Sequence, residues 1–136
     1  LSFQQAMALE TEGIALEESV LRKGITQVFE SMDKGFYLVA EENHRLVGSL
    51  LITYEWSDWR NGVIWWIQSV YVFPEYRKQG VFRTLFKHIE NLARADPQVK
   101  ALRLYVMQNN NTGQRTYHNL GMNDSGYIVF EKEGFT

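Results

Sequence analysis

Residues 63–72, Val-Ile-Trp-Trp-Ile-Gln-Ser-Val-Tyr-Val, are apolar at both odd and even positions. Successive side chains of a β-strand point to opposite faces. A strand of this kind needs cover on both faces, which is the position of a central strand in an α/β sheet. Pro74 stops the run. From about Gly80 to Ala95 a helical stripe follows, made of Val81, Phe82, Leu85, Phe86, Ile89, Leu92 and Ala93, with Arg83, Lys87, Glu90 and Arg94 mainly opposite. Asp96-Pro97 breaks that helix, and residues 99–107 read as another strand. A strand, helix, strand unit at the centre of the chain predicts a mixed α/β sheet, mostly antiparallel and flanked by helices.

The flanking sequence fits around this unit. Residues 2–9 read as a short helix and residues 17–32 as a second, with Val20, Leu21, Ile25, Val28, Phe29 and Met32 at helical spacing. Residues 36–40 and 45–56 read as strands joined by a turn at Asn43-His44. Residues 57–62 form a loop that ends in the turn signal Asn61-Gly62. A short helix opens near residues 109–111 and closes at Leu120-Gly121, and residues 125–132 read as a last strand.

Composition removes several functions. At 136 residues the chain is one domain. It has no cysteine, so a disulfide framework, a thiolate metal site and a Cys nucleophile are excluded. That fits a reducing cytoplasm. Lys plus Arg is 14 and Asp plus Glu is 16, a net charge of −2, with pI ≈ 5.9. The electrostatic footprint of a nucleic-acid binder is missing. No apolar run reaches the roughly 20 residues needed to cross a bilayer. His44, His88 and His118 have no metal-ligand spacing, so no metal is expected. Glu10, Glu12, Glu17 and Glu18 read as a solvated face, or as a rim that attracts basic substrates.

The chemistry concentrates in Ser69-Val70-Tyr71-Val72-Phe73-Pro74-Glu75-Tyr76-Arg77-Lys78-Gln79-Gly80-Val81-Phe82. Here a central strand enters a short basic loop that opens a helix. The first amides of a helix lack internal acceptors and, with the helix dipole, favour anions. Gly80 permits close approach to the backbone. On these residues alone an ordinary loop with solvated basic side chains is equally consistent.

This stretch resembles motif A of the GNAT superfamily, the Gcn5-related N-acetyltransferases, which reads Arg/Gln-x-x-Gly-x-Gly/Ala after the fourth strand. Arg77-x-x-Gly80 matches it and follows the lead Val72-Phe73-Pro74-Glu75-Tyr76; Phe82 departs from the small final residue. Downstream, Asn110, Tyr117, Gly121 and Met122 are similar to a second family block, in which an Asn precedes a Tyr by seven residues. Together the two blocks cover roughly residues 35–131. The resemblance implies an acyl-CoA N-acyltransferase fold and acetyl-CoA as co-substrate. It implies that Val70, Tyr71 and Val72 pair with the pantetheine arm. Arg77, Lys78, Gln79, Gly80, Val81 and Phe82 would hold the pyrophosphate, and Asn110 would touch the pantetheine or the helix opening. Tyr117 would protonate the leaving thiolate, and the Val70 N–H would face the developing oxyanion.

Two departures matter. The family's usual fourth-strand Glu is Gln68 here, which cannot accept a proton at neutral pH. The nearest carboxylates by inferred geometry are Glu55, as a base acting directly or through water or as a substrate-binding acid, and Asp58. Trp56, Asp58 and Gln68 are the further candidates for binding the amine. The family also starts with a strand before its first helix, so a single domain over residues 1–136 lacking that strand is expected. The resulting expectation is transfer of acetyl from acetyl-CoA to a small-molecule or peptide amine by direct attack in a ternary complex. A homodimer is a family-level expectation. A non-catalytic acyl-CoA-binding module and a protein-interaction domain remain the alternatives.

Overall fold

The computed structural model describes residues 18–31 and 33–136. The expected helix at residues 2–9 lies outside them. The chain divides into two compact units, the first ending at Tyr105 and the second starting at Val106.

The first unit contains α1 (Glu18–Glu30), β1 (Gly35–Glu42), β2 (Arg45–Ser57), β3 (Gly62–Val72), a 3-10 turn (Pro74–Tyr76), α2 (Val81–Ala95) and β4 (Val99–Leu104). The four strands form one sheet in the order β1-β2-β3-β4. The first two pairings are antiparallel and β3 pairs parallel with β4 across the α2 crossover. This is the mixed, mostly antiparallel sheet expected, with β3 inside it. The β1–β2 hairpin turns at Asn43 and His44, both at positive φ (52° and 63°), as a two-residue turn that follows strand twist requires. The β2–β3 loop is tied by its own side chains. Asp58 Oδ1 accepts from Trp59 N–H at 2.9 Å and Ser57 Oγ from Arg60 N–H at 3.2 Å.

Register sorts the side chains into two faces. Phe36, Ile52, Ile67, Tyr54 and Trp65 share one face, and Tyr37, Leu51, Thr53, Trp66 and Gln68 share the other. The first face carries α2. A Cβ added at Gly48 would lie 3.0 Å from Val81 Cγ1, so the small residue lets the helix start close to the sheet. Leu50, Ile52, Ile67, Leu85, Phe86 and Ile89 are buried and form the centre of the core. Trp65 meets Phe36 edge-on, ring centroids 5.4 Å apart. The second face meets α1, where Phe29 stacks on Tyr37 at 5.5 Å.

The second unit is built on α3 (Asn111–Asn119). Asn110 caps it, its side-chain oxygen accepting from Gly113 N–H at 2.9 Å. The helix ends as expected at Leu120-Gly121. Gly121 has φ 89°, its N–H donates to His118 O at 3.0 Å, and Met122 N–H donates to Tyr117 O at 3.0 Å. Two expectations are corrected. The strand expected over 99–107 ends at Leu104. The strand expected over 125–132 is not formed. Those residues pair with no strand among the described residues, and Tyr127, Ile128, Val129 and Phe130 are exposed. Their composition carries strand propensity, but a strand also needs a ladder partner, and propensity does not supply one. Among the described residues no helix is long and apolar enough to cross a membrane.

Candidate active site

The parallel ladder between β3 and β4 ends at Ile67↔Leu104, while β3 runs on to Val72. The last five positions of β3, 68–72, therefore extend past the strand beside them. A bulge sits at the start of this extension. Ser49 pairs with Tyr71 and Leu51 with Gln68, so Leu50 alone faces both Ser69 and Val70. Ser69 has φ 52°, a left-handed backbone that a non-glycine residue holds only where its surroundings fix it. Bulges bend a strand and re-aim its groups. Here the bend falls where β3 and β4 part.

Past Val72 the chain turns through Pro74–Tyr76 into the expected basic loop. Arg77 is exposed, yet its side chain is anchored to the strand end. Its Nε donates to Val72 O at 2.9 Å and its guanidinium lies 5.2 Å from the Tyr71 ring centroid, which fastens the loop to the strand end. The Gln79 side chain likewise donates to Glu75 O at 2.9 Å. Lys78 (φ 61°) and Gly80 (φ 82°) both adopt left-handed conformations, and Gly80 is the N-cap of α2. A Cβ at Gly80 would meet nothing within 4 Å, so the glycine is needed for its φ and leaves open space beside it. Thr84 N–H donates to Gly80 O at 2.9 Å and closes the first helical turn. The preceding helix amides have by geometry no acceptor inside the helix, the arrangement that favours an anion.

The sheet face away from α2 carries a polar and aromatic strip. Gln68 Nε2 donates to Thr53 Oγ1 across β2 and β3. Trp66 Nε1 donates to Glu55 Oε1 at 2.9 Å. Arg103 on β4, in register with Trp66, stands 3.7 Å from Glu55 Oε2, and Tyr105 stacks on Trp66 at 4.5 Å. Glu55 and Gln68, both singled out from sequence, thus share a face. Trp56 does not join them; it belongs to the other face, paired with Val63, and is exposed. Asp58 is exposed and occupied with its own turn. Thr53, Arg103 and Tyr105 were missed by sequence reasoning. The signal for the last two is the parallel register, which no residue pattern displays.

In the second unit Tyr117 lies on α3 and Asn110 caps it. Burial pushes the Tyr117 hydroxyl above its ordinary value of 10.0. Among the described residues no group of three His, Asp or Glu could hold a metal ion.

The fold just described is that of the acetyltransferases. A solved structure titled a possible acetyltransferase, from Clostridium difficile 630, matches with a TM-score of 0.93 and 41% identity, over 99% of this chain and 89% of that one. A predicted acetyltransferase with acetyl-CoA from Clostridium acetobutylicum shares the fold at TM-score 0.74 and 17% identity, over 96% of this chain and 86% of that one. Among curated proteins, the thialysine N-epsilon-acetyltransferase of Bos taurus is 32% identical over 93 residues, 65% of this chain and 54% of that protein. This chain spans about half the length of that relative. The model of the acetyltransferase (GNAT) family matches residues 5–122. The chain belongs to the acetyltransferase (GNAT) family.

Proposed function

We propose that this chain transfers the acetyl group of acetyl-CoA to a primary amine by direct attack in a ternary complex. The observation that carries the reading is the five-residue run of β3 beyond β4, which leads into a left-handed loop at the mouth of α2. An extended strand edge offers backbone groups to an extended ligand, as in strand addition. The pantetheine arm has the amides and the length for this, and Val70, Tyr71 and Val72 supply the edge. The amides of residues 78–82 suit the pyrophosphate, with Lys78 adding charge. Arg77 acts indirectly, holding the loop on Val72 and Tyr71.

In the reaction a neutral amine attacks the thioester carbon, the C–N bond forms, the C–S bond breaks and the thiolate leaves. The Val70 N–H, re-aimed by the bulge at Ser69, faces the developing oxyanion. Tyr117 gives its proton to the thiolate. With its pKa raised by burial, the hydroxyl carries its proton at neutral pH and can give it up as the thiolate leaves. The ammonium's proton must go elsewhere. Gln68 cannot take it. Glu55 is in register with Ile64, six positions before Val70 and so about 20 Å along the strand, which favours proton transfer through water over direct contact. We assign the exit to water on the strip formed by Gln68, Thr53 and Glu55. The bovine relative, whose name gives it a small-molecule ε-amine, supports a primary amine as acceptor.

The test is release of free thiol from acetyl-CoA as primary amines are added to the folded protein. The expected result is thiol and N-acetylated amine in equal amounts. Acetyl-CoA binding with no amine-dependent release would replace the enzyme by a binding module.

A further inference from the structure

We propose that residues 128–133 of a second copy of this chain add as a strand to the outer edge of β4, two copies exchanging these segments. β4 is last in the sheet order, so among the described residues only its β3 side is paired. Such an edge presents a row of backbone donors and acceptors to a strand that comes alongside. The usual guards are missing here. β4 reads Val-Lys-Ala-Leu-Arg-Leu, with no proline. Its exposed lysine, Lys100, is folded back, with Nζ donating to Pro97 O at 2.9 Å.

The space beside the edge can take side chains. A groove of about 230 Å³ lies against it, lined by Glu90, Ala93 and Arg94 of α2 and by residues 99–102 of β4. A strand added to β4 would send alternate side chains into this groove, against Ala93 and Leu102.

The chain itself carries the matching segment. Ile128, Val129 and Phe130 are 71%, 66% and 88% exposed and belong to no ladder. Successive exposed apolar residues of this kind mark an interaction surface. β-Branched and aromatic residues favour a strand once a partner strand exists. Residues 128–133, Ile-Val-Phe-Glu-Lys-Glu, have the six-residue length of β4. Alternation puts Ile128 and Phe130 on one face, which fills the groove, and Val129 on the other. Charge agrees. β4 carries Lys100 and Arg103 and no acid, whereas the segment carries Glu131 and Glu133 against Lys132. Every copy holds both the open edge and the segment, so a twofold exchange satisfies both and closes on itself.

The experiment combines sedimentation of the full chain over a range of concentrations with isotope-filtered NMR on an equal mixture of labelled and unlabelled copies. The proposal predicts a species of twice 15.9 kDa, with contacts between residues 128–133 of one copy and residues 99–104 of the other. The outward amides of residues 99–104 should exchange slowly in that species and faster on dilution. Val129→Pro removes a ladder donor and should return the chain to 15.9 kDa, with the amides of β1 to β3 still protected. Phe130→Ala, which keeps every backbone group, should weaken self-association about ten- to hundredfold. A chain of 15.9 kDa at every concentration overturns the proposal, whether its β4 edge stays open or is covered by its own segment. A dimer without these contacts between copies, or one that survives Val129→Pro unchanged, overturns it in favour of another surface.

Discussion

Single residues divide here into those whose chemistry follows from type and those whose role follows from what they touch. Tyr117 is of the first kind. A phenol held protonated by burial is a proton donor wherever a thiolate leaves nearby. Its raised pKa fixes the sign of two effects. The proton is held more tightly in the folded protein, so the contribution to stability is complete below the ordinary value of about 10 and is lost as pH rises through the folded value. The alkaline limb of kcat should likewise lie above pH 10. Tyr117→Phe should lower kcat about ten- to ten-thousandfold and abolish that limb, read from a pH–rate profile. An unchanged kcat would leave Tyr117 with a packing role. Arg77 is of the second kind. Its Nε holds Val72 O and its guanidinium lies against the Tyr71 ring, so it anchors the loop that it was expected to serve as a phosphate ligand.

Elements were legible where their signal is local. The Asn43-His44 turn, the stripe of α2, and the Gly121 end of α3 each rest on neighbours in sequence, and each is present. Asn110 shows how a local device serves a helix. Gly113 leaves room for its side chain, since a Cβ there would lie 2.6 Å from Asn110 Nδ2. Asn110→Ala removes the cap of a nine-residue helix. It should cost about 0.5–2 kcal/mol, measured by chemical denaturation, with loss of α3 ellipticity. A change within error would mean that tertiary contacts alone hold α3. What was not legible depends on partners distant in sequence. The bulge at Ser69 arises because Leu50 faces two residues, and serine carries no signal for a left-handed backbone. The Glu55–Trp66–Arg103 group depends on two registers at once. Tyr127–Phe130 has a strand's composition but no ladder.

At the scale of the molecule, the family follows from motif and fold, whereas the placement of the co-substrate is a claim about one edge and one loop. The four-stranded sheet is held by a core of aliphatic residues and Phe86 under α2, and that base lets β3, still paired with β2, run five positions past the end of its ladder with β4. A rigid scaffold of this kind positions the loops and strand ends that bind and react. Backbone amide hydrogen exchange, read residue by residue with and without acetyl-CoA, reports on that edge directly. Slowed exchange at residues 70–72 and 78–82, with the β1–β2 hairpin unchanged, is the predicted result. Protection confined to other segments, or no change at saturating acetyl-CoA, would contradict the assignment of β3 and the mouth of α2 as the acetyl-CoA site.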